Sequence, residues 1–310
     1  MSNIKDFIIE NGVLIKYTGN NADVIIPDDG SIRYLGDSCF SHCTNLKSIT
    51  IPDSVIRLGR SCFIRCTNLE SITIPNSVTS LRVGCFACCT SLKSITISDS
   101  VISLWDNCFS RCINLESITI PDSVTYLGEG CFSGCINLKS ITIPDSVTHL
   151  GEGCFHSCIN LQNITVDSKN PVYSSAGNCL IEIKSGSLIA GCKDSVIPYD
   201  GSVTSLGRSC FTHCASLKNI TIPDSVTFLG DHCFSCCTNL ESITIPDSVT
   251  SLGRNCFTHC TSLKNITIPD SVTSLGDHCF SRCENLTIFA KEGSRAAEYA
   301  KENKIQFEAI

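Results

Sequence analysis

A Cys-Phe pair recurs every 23 residues, and this period restricts the fold more than any other feature of the chain. Six copies run from Cys39 to Cys154 and four more from Cys210 to Cys279. The step of 56 residues between the two blocks equals 23 plus 33, so one repeat carries ten additional residues. A unit this short cannot bury its apolar side alone, whereas stacked copies can. The period therefore predicts a solenoid.

Each repeat combines two periodicities. In one copy, Ser140–Ile143 alternates polar and apolar residues, as in a short strand, and Pro144 ends it because proline cannot donate to a strand ladder. The apolar residues Cys131, Phe132, Cys135 and Leu138 follow the spacing i, i+1, i+4 and i+7 of a short helical or 3₁₀ segment. We expect an α/β solenoid, a right-handed superhelix with one parallel β-sheet and short helical or 3₁₀ segments on the other face.

Both ends of the chain look like caps, which predicts a single solenoid over residues 1–310. Phe7–Ile15 reads as two strands joined by an Asn-Gly turn, hence a hairpin. The polar segment from Lys291 to Asn303 is rich in helix formers. The expected divisions are a hairpin cap over 1–30, regular repeats over 31–166, an irregular repeat with the insertion over 167–201, regular repeats over 202–289, and a C-terminal cap over 290–310.

The repeat core Leu-x-x-Ile-x-Ile-Pro-x-Ser-Val-x-x-Leu-Gly, seen from Leu138 to Gly151, resembles the BspA-like, Treponema-type leucine-rich repeats. This resemblance covers nearly the whole chain and implies a leucine-rich-repeat solenoid. It also implies a binding or cell-surface adhesion protein with an unspecified partner. The chain departs from the family pattern in placing Cys before the Phe, where similar repeats usually have Ala.

Composition and motifs narrow the function classes. A net charge of −7 with 17% charged residues argues against nucleic-acid binding, which needs clustered Lys and Arg. No apolar run is long enough to cross a bilayer, and Met1–Asp6 lacks the pattern of a signal peptide. We therefore expect a cytoplasmic protein, or a cell-surface protein if the chain was trimmed. No nucleophile elbow, phosphate loop or zinc-protease motif is present, so we expect no enzyme.

The outward strand positions predict a sheet face that neutralises its own charge. Lys and Glu alternate from repeat to repeat, so opposite charges meet across neighbouring strands. The same face carries no aromatic cluster and no arginine anchor, and the histidines read as surface residues at no consistent repeat position. The alternating positions are Lys47, Glu70, Lys93, Glu116, Lys139, Lys218, Glu241 and Lys264.

The strongest chemical signal is a ladder of cysteines. Every regular repeat carries Cys-Phe-x-x-Cys, and thiols at i and i+4 on a helical turn lie about 5–6 Å apart. Two stacked repeats would then present four inward thiols, the ligand set of zinc and of iron–sulfur clusters. The predicted metal ligands are Cys39, Cys43, Cys62, Cys66, Cys85, Cys89, Cys108, Cys112, Cys131, Cys135, Cys154, Cys158, Cys210, Cys214, Cys233, Cys237, Cys256, Cys260, Cys279 and Cys283.

The residue before each first Cys is of a helix N-cap type in eight of ten repeats, for example Ser38 and Asn107. Free N–H groups at a helix start favour thiolate over thiol. The first hypothesis is therefore a row of up to five [4Fe-4S] clusters for electron transfer or storage, with zinc or no metal as alternatives. The alternative function is a metal-free protein-binding or scaffold module whose cysteines pack the core. Four further cysteines lie outside the ladder, Cys88 and Cys236 as exposed residues and Cys179 and Cys192 as core.

Overall fold

The structure is a computed structural model that describes residues 4–310. The first three residues of the expected N-terminal cap lie outside the described residues. The chain forms two compact units. The first ends at Asn160 and includes Asp167–Asn170, and the second comprises Leu161–Val166 and Pro171–Ile310. Each unit consists of stacked 23-residue coils with parallel sheets and few helices, which confirms the predicted fold class.

Over its described residues, the first unit has a 3₁₀ turn at Ile4–Asp6 followed by thirteen short strands. The Asn-Gly hairpin is present, with Asn11 and Gly12 both at positive φ. The strands are β1 (Phe7–Glu10), β2 (Val13–Tyr17), β3 (Asp23–Ile25), β4 (Tyr34–Leu35), β5 (Ser48–Thr50), β6 (Arg57–Leu58), β7 (Ser71–Thr73), β8 (Ser80–Leu81), β9 (Ser94–Thr96), β10 (Ser103–Leu104), β11 (Tyr126–Leu127), β12 (Ser140–Ile143) and β13 (His149–Leu150).

The second unit contains thirteen further strands and one α-helix among the described residues. The elements are β14 (Asn163–Val166), β15 (Tyr173–Ala176), β16 (Cys179–Glu182), β17 (Ser187–Ala190), β18 (Ser205–Leu206), β19 (Asn219–Thr221), β20 (Phe228–Leu229), β21 (Ser242–Thr244), β22 (Ser251–Leu252), β23 (Asn265–Thr267), β24 (Ser274–Leu275), β25 (Thr287–Ala290), α1 (Arg295–Glu302) and β26 (Gln306–Ala309).

Coils contribute strands to two different parallel rows. One row is the expected Ser-Ile-Thr sheet, in the orders β3-β5-β7-β9 and β19-β21-β23-β25-β26. The other row, which we call the Leu row, consists mainly of two-residue strands that end on the buried Leu of the Leu-Gly motif. In the first unit it has the orders β1-β2-β4-β6 and β8-β10-β11-β13. In the second unit it runs through β18-β20-β22-β24, after an antiparallel meander β15-β16-β17 formed by the irregular repeat.

The Cys-Phe segments form successive turns in place of the expected helical segments. The residue before each Cys adopts a left-handed conformation, as at Ser38 (φ 57°) and His42 (φ 61°). Alternate N–H groups then point to the next coil. The N–H groups of Ser38, Phe40 and His42 donate to the carbonyls of Arg60, Cys62 and Ile64 at 2.8–2.9 Å. A ladder between coils therefore replaces the hydrogen bonds of a helix.

In each unit a column of phenylalanine rings fills the core beside these turns. Phe63, Phe86 and Phe109 are fully buried, and adjacent rings lie 5.3–5.5 Å apart and within 5° of parallel. The column ends on Tyr17 in the first unit, 5.1 Å from Phe40, and on Tyr299 of α1 in the second, 6.0 Å from Phe280. The polar segment from Lys291 to Asn303, rich in helix formers, thus contains α1 (Arg295–Glu302).

The glycine of Leu-Gly is needed where one coil crosses close to the previous one. A Cβ atom added to Gly151 would lie 2.2 Å from the backbone nitrogen of Glu129. We expect Gly151→Ala to lower the free energy of unfolding by about 1–3 kcal/mol, the usual cost of overpacking. Urea denaturation followed by circular dichroism measures it. Gly30→Asn is the control, because Gly30 has no atom within 4 Å of that position and Asn tolerates its left-handed φ. An equal loss in both variants would contradict this explanation.

Candidate interaction surface

In eight of the ten regular repeats the second cysteine donates a hydrogen bond to a Phe carbonyl of the preceding coil. The Cys89 thiol donates to the Phe63 carbonyl at 3.1 Å, and the Cys112 thiol donates to the Phe86 carbonyl at 3.2 Å. Each thiol thus bonds to the Phe of the preceding coil, away from the first-column thiols. The contact recurs at 3.1–3.2 Å for Cys66, Cys89, Cys112, Cys135, Cys158, Cys237, Cys260 and Cys283.

The first cysteines form a separate buried row. The sulfur atoms of Cys39 and Cys62 lie 3.5 Å apart, and those of Cys210 and Cys233 lie 3.4 Å apart. These are contacts between neighbours along the row, so adjacent coils bring thiols together in pairs within one column. The row consists of Cys39, Cys62, Cys85, Cys108, Cys131, Cys154, Cys210, Cys233, Cys256 and Cys279.

Burial favours the neutral thiol, opposite to the expected thiolate. Desolvation raises the pKa of Cys89 and Cys135 to about 12 and that of Cys283 to about 11. The expected N-cap does not exist, because Ser38 and its counterparts are left-handed and the neighbouring N–H groups bond to the next coil. In the first column, desolvation likewise raises the pKa of Cys62, Cys85, Cys108, Cys131, Cys233 and Cys279. Two ladder cysteines are exceptions. At Cys256, desolvation is outweighed by hydrogen bonds from Cys233 and Cys279, which lower the pKa to about 5, and a hydrogen bond from Cys66 lowers the pKa of Cys43.

The structure does not support the predicted four-cysteine metal sites. Within residues 4–310, no three His, Cys, Asp or Glu side chains form a group suited to a metal ion. The physical reason is that left-handed backbone residues turn the two columns toward different neighbours. Only Cys43 and Cys214 among the twenty predicted ligands are half-buried, and the others are buried. The ladder is consistent with core packing by small apolar side chains.

Of the four cysteines outside the ladder, two are as buried as predicted and two are less exposed than predicted. Cys179 and Cys192 are buried in the irregular repeat, as predicted. Cys88 and Cys236 are half-buried and occupy left-handed positions before a second-column Cys. Histidines also follow the backbone, contrary to the expectation of no consistent repeat position, since five of the seven stand at left-handed positions directly before a ladder cysteine, three before a second-column Cys and two before a first-column Cys. These are His42, His213, His232, His259 and His278.

The Ser-Ile-Thr sheet face pairs charges within the chain, as predicted. Lys93 lies 3.2 Å from Glu70, and Lys139 lies 2.6 Å from Glu116, each on the neighbouring coil. All four side chains are about half exposed or more, so the pairs add little stability. A groove of about 550 Å³ on this face is lined mainly by hydroxyl groups, among them Ser71 and Thr73. This face presents no strong anchor for a partner.

The Leu row of the first unit presents an aromatic cluster that sequence analysis missed. The Trp105 and Tyr126 rings lie 5.1 Å apart, and the Tyr126 and His149 rings stack at 4.6 Å with a 2° angle. Strand register explains the contact, because Tyr126 pairs with His149 across β11 and β13. Trp105 is 42% exposed and the nearby Ile102 is 53% exposed. We call Ile102, Trp105, Tyr126 and His149 the aromatic surface.

These residues are departures from the repeat. Gly follows the Leu in eight of the ten regular coils, whereas Arg82 and Trp105 stand there in two adjacent coils of the first unit. The Trp105 N–H still donates to the Leu81 carbonyl at 2.9 Å, as Gly128 does to Leu104 at 2.8 Å. The backbone is therefore unchanged and only the side chain differs. A position-by-position comparison of the repeats would have identified this site, because Trp105 is the one tryptophan of the chain.

Beside the aromatic surface, the positive and negative side chains lie on different coils of the first unit. Arg57, Arg60 and Arg82 lie on the coils before Trp105, and we call them the arginine half. The coils from Trp105 onward carry three carboxylates at the second position after the Leu. These three residues, the acidic half, are Asp106, Glu129 and Glu152.

No helix within the described residues has the length and apolarity that a membrane crossing requires. The chain matches the model of the BspA type leucine-rich repeat region in six copies, over residues 8–112, 103–181 and 182–296. No curated protein matches it.

Solved structures show the same architecture. A leucine-rich cell surface protein from Faecalibacterium prausnitzii is 28% identical, with 95% of this chain and 94% of that chain covered and a TM-score of 0.66. A leucine-rich repeat protein from Eubacterium ventriosum is 26% identical, with 93% and 75% covered and a TM-score of 0.67. The pneumococcal vaccine antigen PcpA, at 17% identity with 97% and 92% covered and a TM-score of 0.61, is similar in fold. The family match and the coil geometry together show that the chain belongs to the BspA-type leucine-rich repeat family.

Proposed function

We propose that this chain is a non-enzymatic leucine-rich repeat module that binds a protein partner through the aromatic surface. The observation that carries the proposal is the stacked group of Trp105, Tyr126 and His149, in which Trp105 and His149 are exposed, at positions that most other coils fill with Gly or Ser. Trp and Tyr are the residues that most often dominate binding energy at protein interfaces. The matched cell surface protein from Faecalibacterium prausnitzii is consistent with a binding role.

We also propose that the protein acts in a reducing compartment such as the cytoplasm. The structure joins none of the 24 cysteines in a disulfide, and buried thiols in this number suit a compartment in which thiols stay reduced. The predicted iron–sulfur role has no comparable support, because its ligand geometry is absent from the described coils.

Trp105→Gly tests the binding role, because it restores the residue that the repeat normally carries. We expect a partner captured by the wild-type protein from a lysate of its source cells to be reduced at least about tenfold, as for the loss of an interface anchor. Quantitative mass spectrometry of the captured proteins measures the change. Phe228→Ala is the matched control, since Phe228 is a similarly exposed aromatic residue (41%) on the Leu row of the second unit. Capture that is equal in all three proteins would exclude the aromatic surface as the binding site.

A further inference from the structure

Positive and negative charges along the first-unit Leu row are arranged so that a second copy, with its coils in the opposite order, would present opposite charges to them. Counting coils from the one that carries Trp105, Arg82 lies one coil before and Glu129 one coil after. Arg60 lies two coils before and Glu152 two coils after. A copy of this surface turned end for end would therefore place carboxylates opposite arginines on both sides of Trp105.

Side-chain size follows the same pattern. Ser80 pairs with Ser103 across β8 and β10, and Ser103 pairs with Tyr126 across β10 and β11. Ser80 and Tyr126 therefore lie one coil on either side of Ser103, which is buried. A reversed copy would set the large Tyr126 ring against the small Ser80. Ile102 and Trp105, both exposed, would lie at the centre, where an interface needs apolar anchors.

We propose that the partner of the aromatic surface is a second copy of this chain, bound face to face with its coils in reverse order. This inference rests on the proposed function. The twofold axis crosses the coil of Trp105, so the two Trp105 rings meet, as an isologous interface requires. Arg82 then faces Glu129 of the partner subunit, and Arg60 faces Glu152 of the partner subunit. The five coils from Arg60 to Glu152 span about 19 Å at the usual strand spacing.

The one carboxylate near the axis is held within its own chain. Asp106 accepts a hydrogen bond from the Glu129 N–H at 3.0 Å, and it also bonds to the Tyr126 hydroxyl. The Asp106 carboxylate therefore already has hydrogen-bond donors within its own chain when the second copy binds. The adjacent Arg82 of each copy lies one coil away and offsets the remaining repulsion.

The second unit lacks this pattern and provides an internal contrast. At the second position after the Leu, which Arg60, Glu129 and Glu152 occupy in the first unit, Arg208, Asp231, Arg254 and Asp277 alternate in sign, and the first position, that of Arg82, is Gly in all four regular coils. Arg254 and Asp277 lie 3.7 Å apart, so neighbouring coils neutralise each other. On the strands β18, β20, β22 and β24, the exposed aromatic residue is Phe228. Self-association is therefore assigned to the first unit.

Charge reversal tests the arrangement by sedimentation velocity over a concentration series. We expect the wild-type protein to dimerise. Arg82→Glu and Glu129→Arg should each raise the dimer Kd at least about tenfold, because each places like charges across both symmetric contacts. Mixing the two variants in equal amounts should restore dimers, since every contact in the mixed pair again joins Arg and Glu. Asp231→Arg in the second unit is the matched control and should leave the Kd unchanged.

Two results would overturn the proposal. One is a wild-type protein that stays monomeric over the whole series, and the other is a mixture that dimerises no better than the single variants. Circular dichroism melting of each variant shows whether it is folded. If the protein is monomeric but Trp105→Gly still abolishes capture of another protein, self-association is refuted while the binding role stands. If Trp105→Gly changes neither capture nor self-association, both proposals fail.

Discussion

Phe109→Ala is expected to lower the free energy of unfolding by about 3–5 kcal/mol. Phe109 is fully buried and stacks between Phe86 at 5.5 Å and Phe132 at 5.6 Å. The substitution leaves a cavity and breaks the ring column at an internal coil, so both neighbours lose a face-to-face contact. Urea denaturation followed by circular dichroism measures the shift in midpoint.

Phe228→Ala makes the same chemical change at a surface position and serves as the control. Phe228 is 41% exposed, so we expect its loss to change stability by less than about 1 kcal/mol. Phe109→Leu should recover part of the loss, because it refills most of the cavity without restoring the stack. A Phe109→Ala protein as stable as Phe228→Ala would show that the column does not hold the coils together.

Periodicity predicts the coil architecture because buried side chains alternate in a fixed way along each repeat. Ile141 and Ile143 point inward from the Ser-Ile-Thr strand, as the period-two pattern requires. The hairpin at Asn11 and Gly12 was likewise predictable from its turn residues. The second strand of each coil was not, because two residues ending on a buried Leu are too short to show a period.

The expectation of a helix N-cap before the first Cys was wrong because of the backbone conformation. Ser, Asn and Gly before the first Cys suggested helix N-caps in eight of ten repeats, yet Gly and Asn are also residues that readily adopt positive φ. At Asn107 (φ 54°) and Gly130 (φ 58°) the residue adopts positive φ and does not cap a helix. A spacing of four residues places two thiols on one face only within a continuous helix. Left-handed residues interrupt that geometry, and Cys112 turns to the Phe86 carbonyl.

The aromatic surface was visible in the sequence but not in the repeat consensus. A consensus averages over coils, whereas Trp105, Tyr126 and His149 each occupy a position filled mainly by a smaller residue elsewhere. Their contact depends on the register of β10, β11 and β13, which sets the residues of adjacent coils side by side. In a repeat protein, the positions that all coils share maintain the fold. The residues that depart from the repeat form the binding site that we propose here.

Thiol titration is expected to separate the packing role of the cysteines from metal binding most clearly. Protein purified without oxygen should be colourless and free of iron and acid-labile sulfide. In the folded state, at most the four half-buried thiols should react rapidly with a thiol reagent, namely Cys43, Cys88, Cys214 and Cys236. The others are buried, and burial raises the pKa of thiols such as Cys89, so little reactive thiolate forms. After unfolding in denaturant, all 24 thiols should react.

Two further measurements establish which thiols react rapidly and whether they are reduced in the source cells. The variant Cys88→Ala/Cys236→Ala should remove two rapidly reacting thiols and leave the slow set intact, because neither side chain belongs to the ladder. Alkylation inside the source cells before lysis should label the same accessible thiols and reveal no disulfides if the compartment is reducing. Visible absorbance with bound iron and sulfide would contradict the packing role. It would require the thiols to abandon their bonds to the Phe carbonyls and converge in fours, a rearrangement opposed by every hydrogen bond of the second column from Cys66 to Cys158.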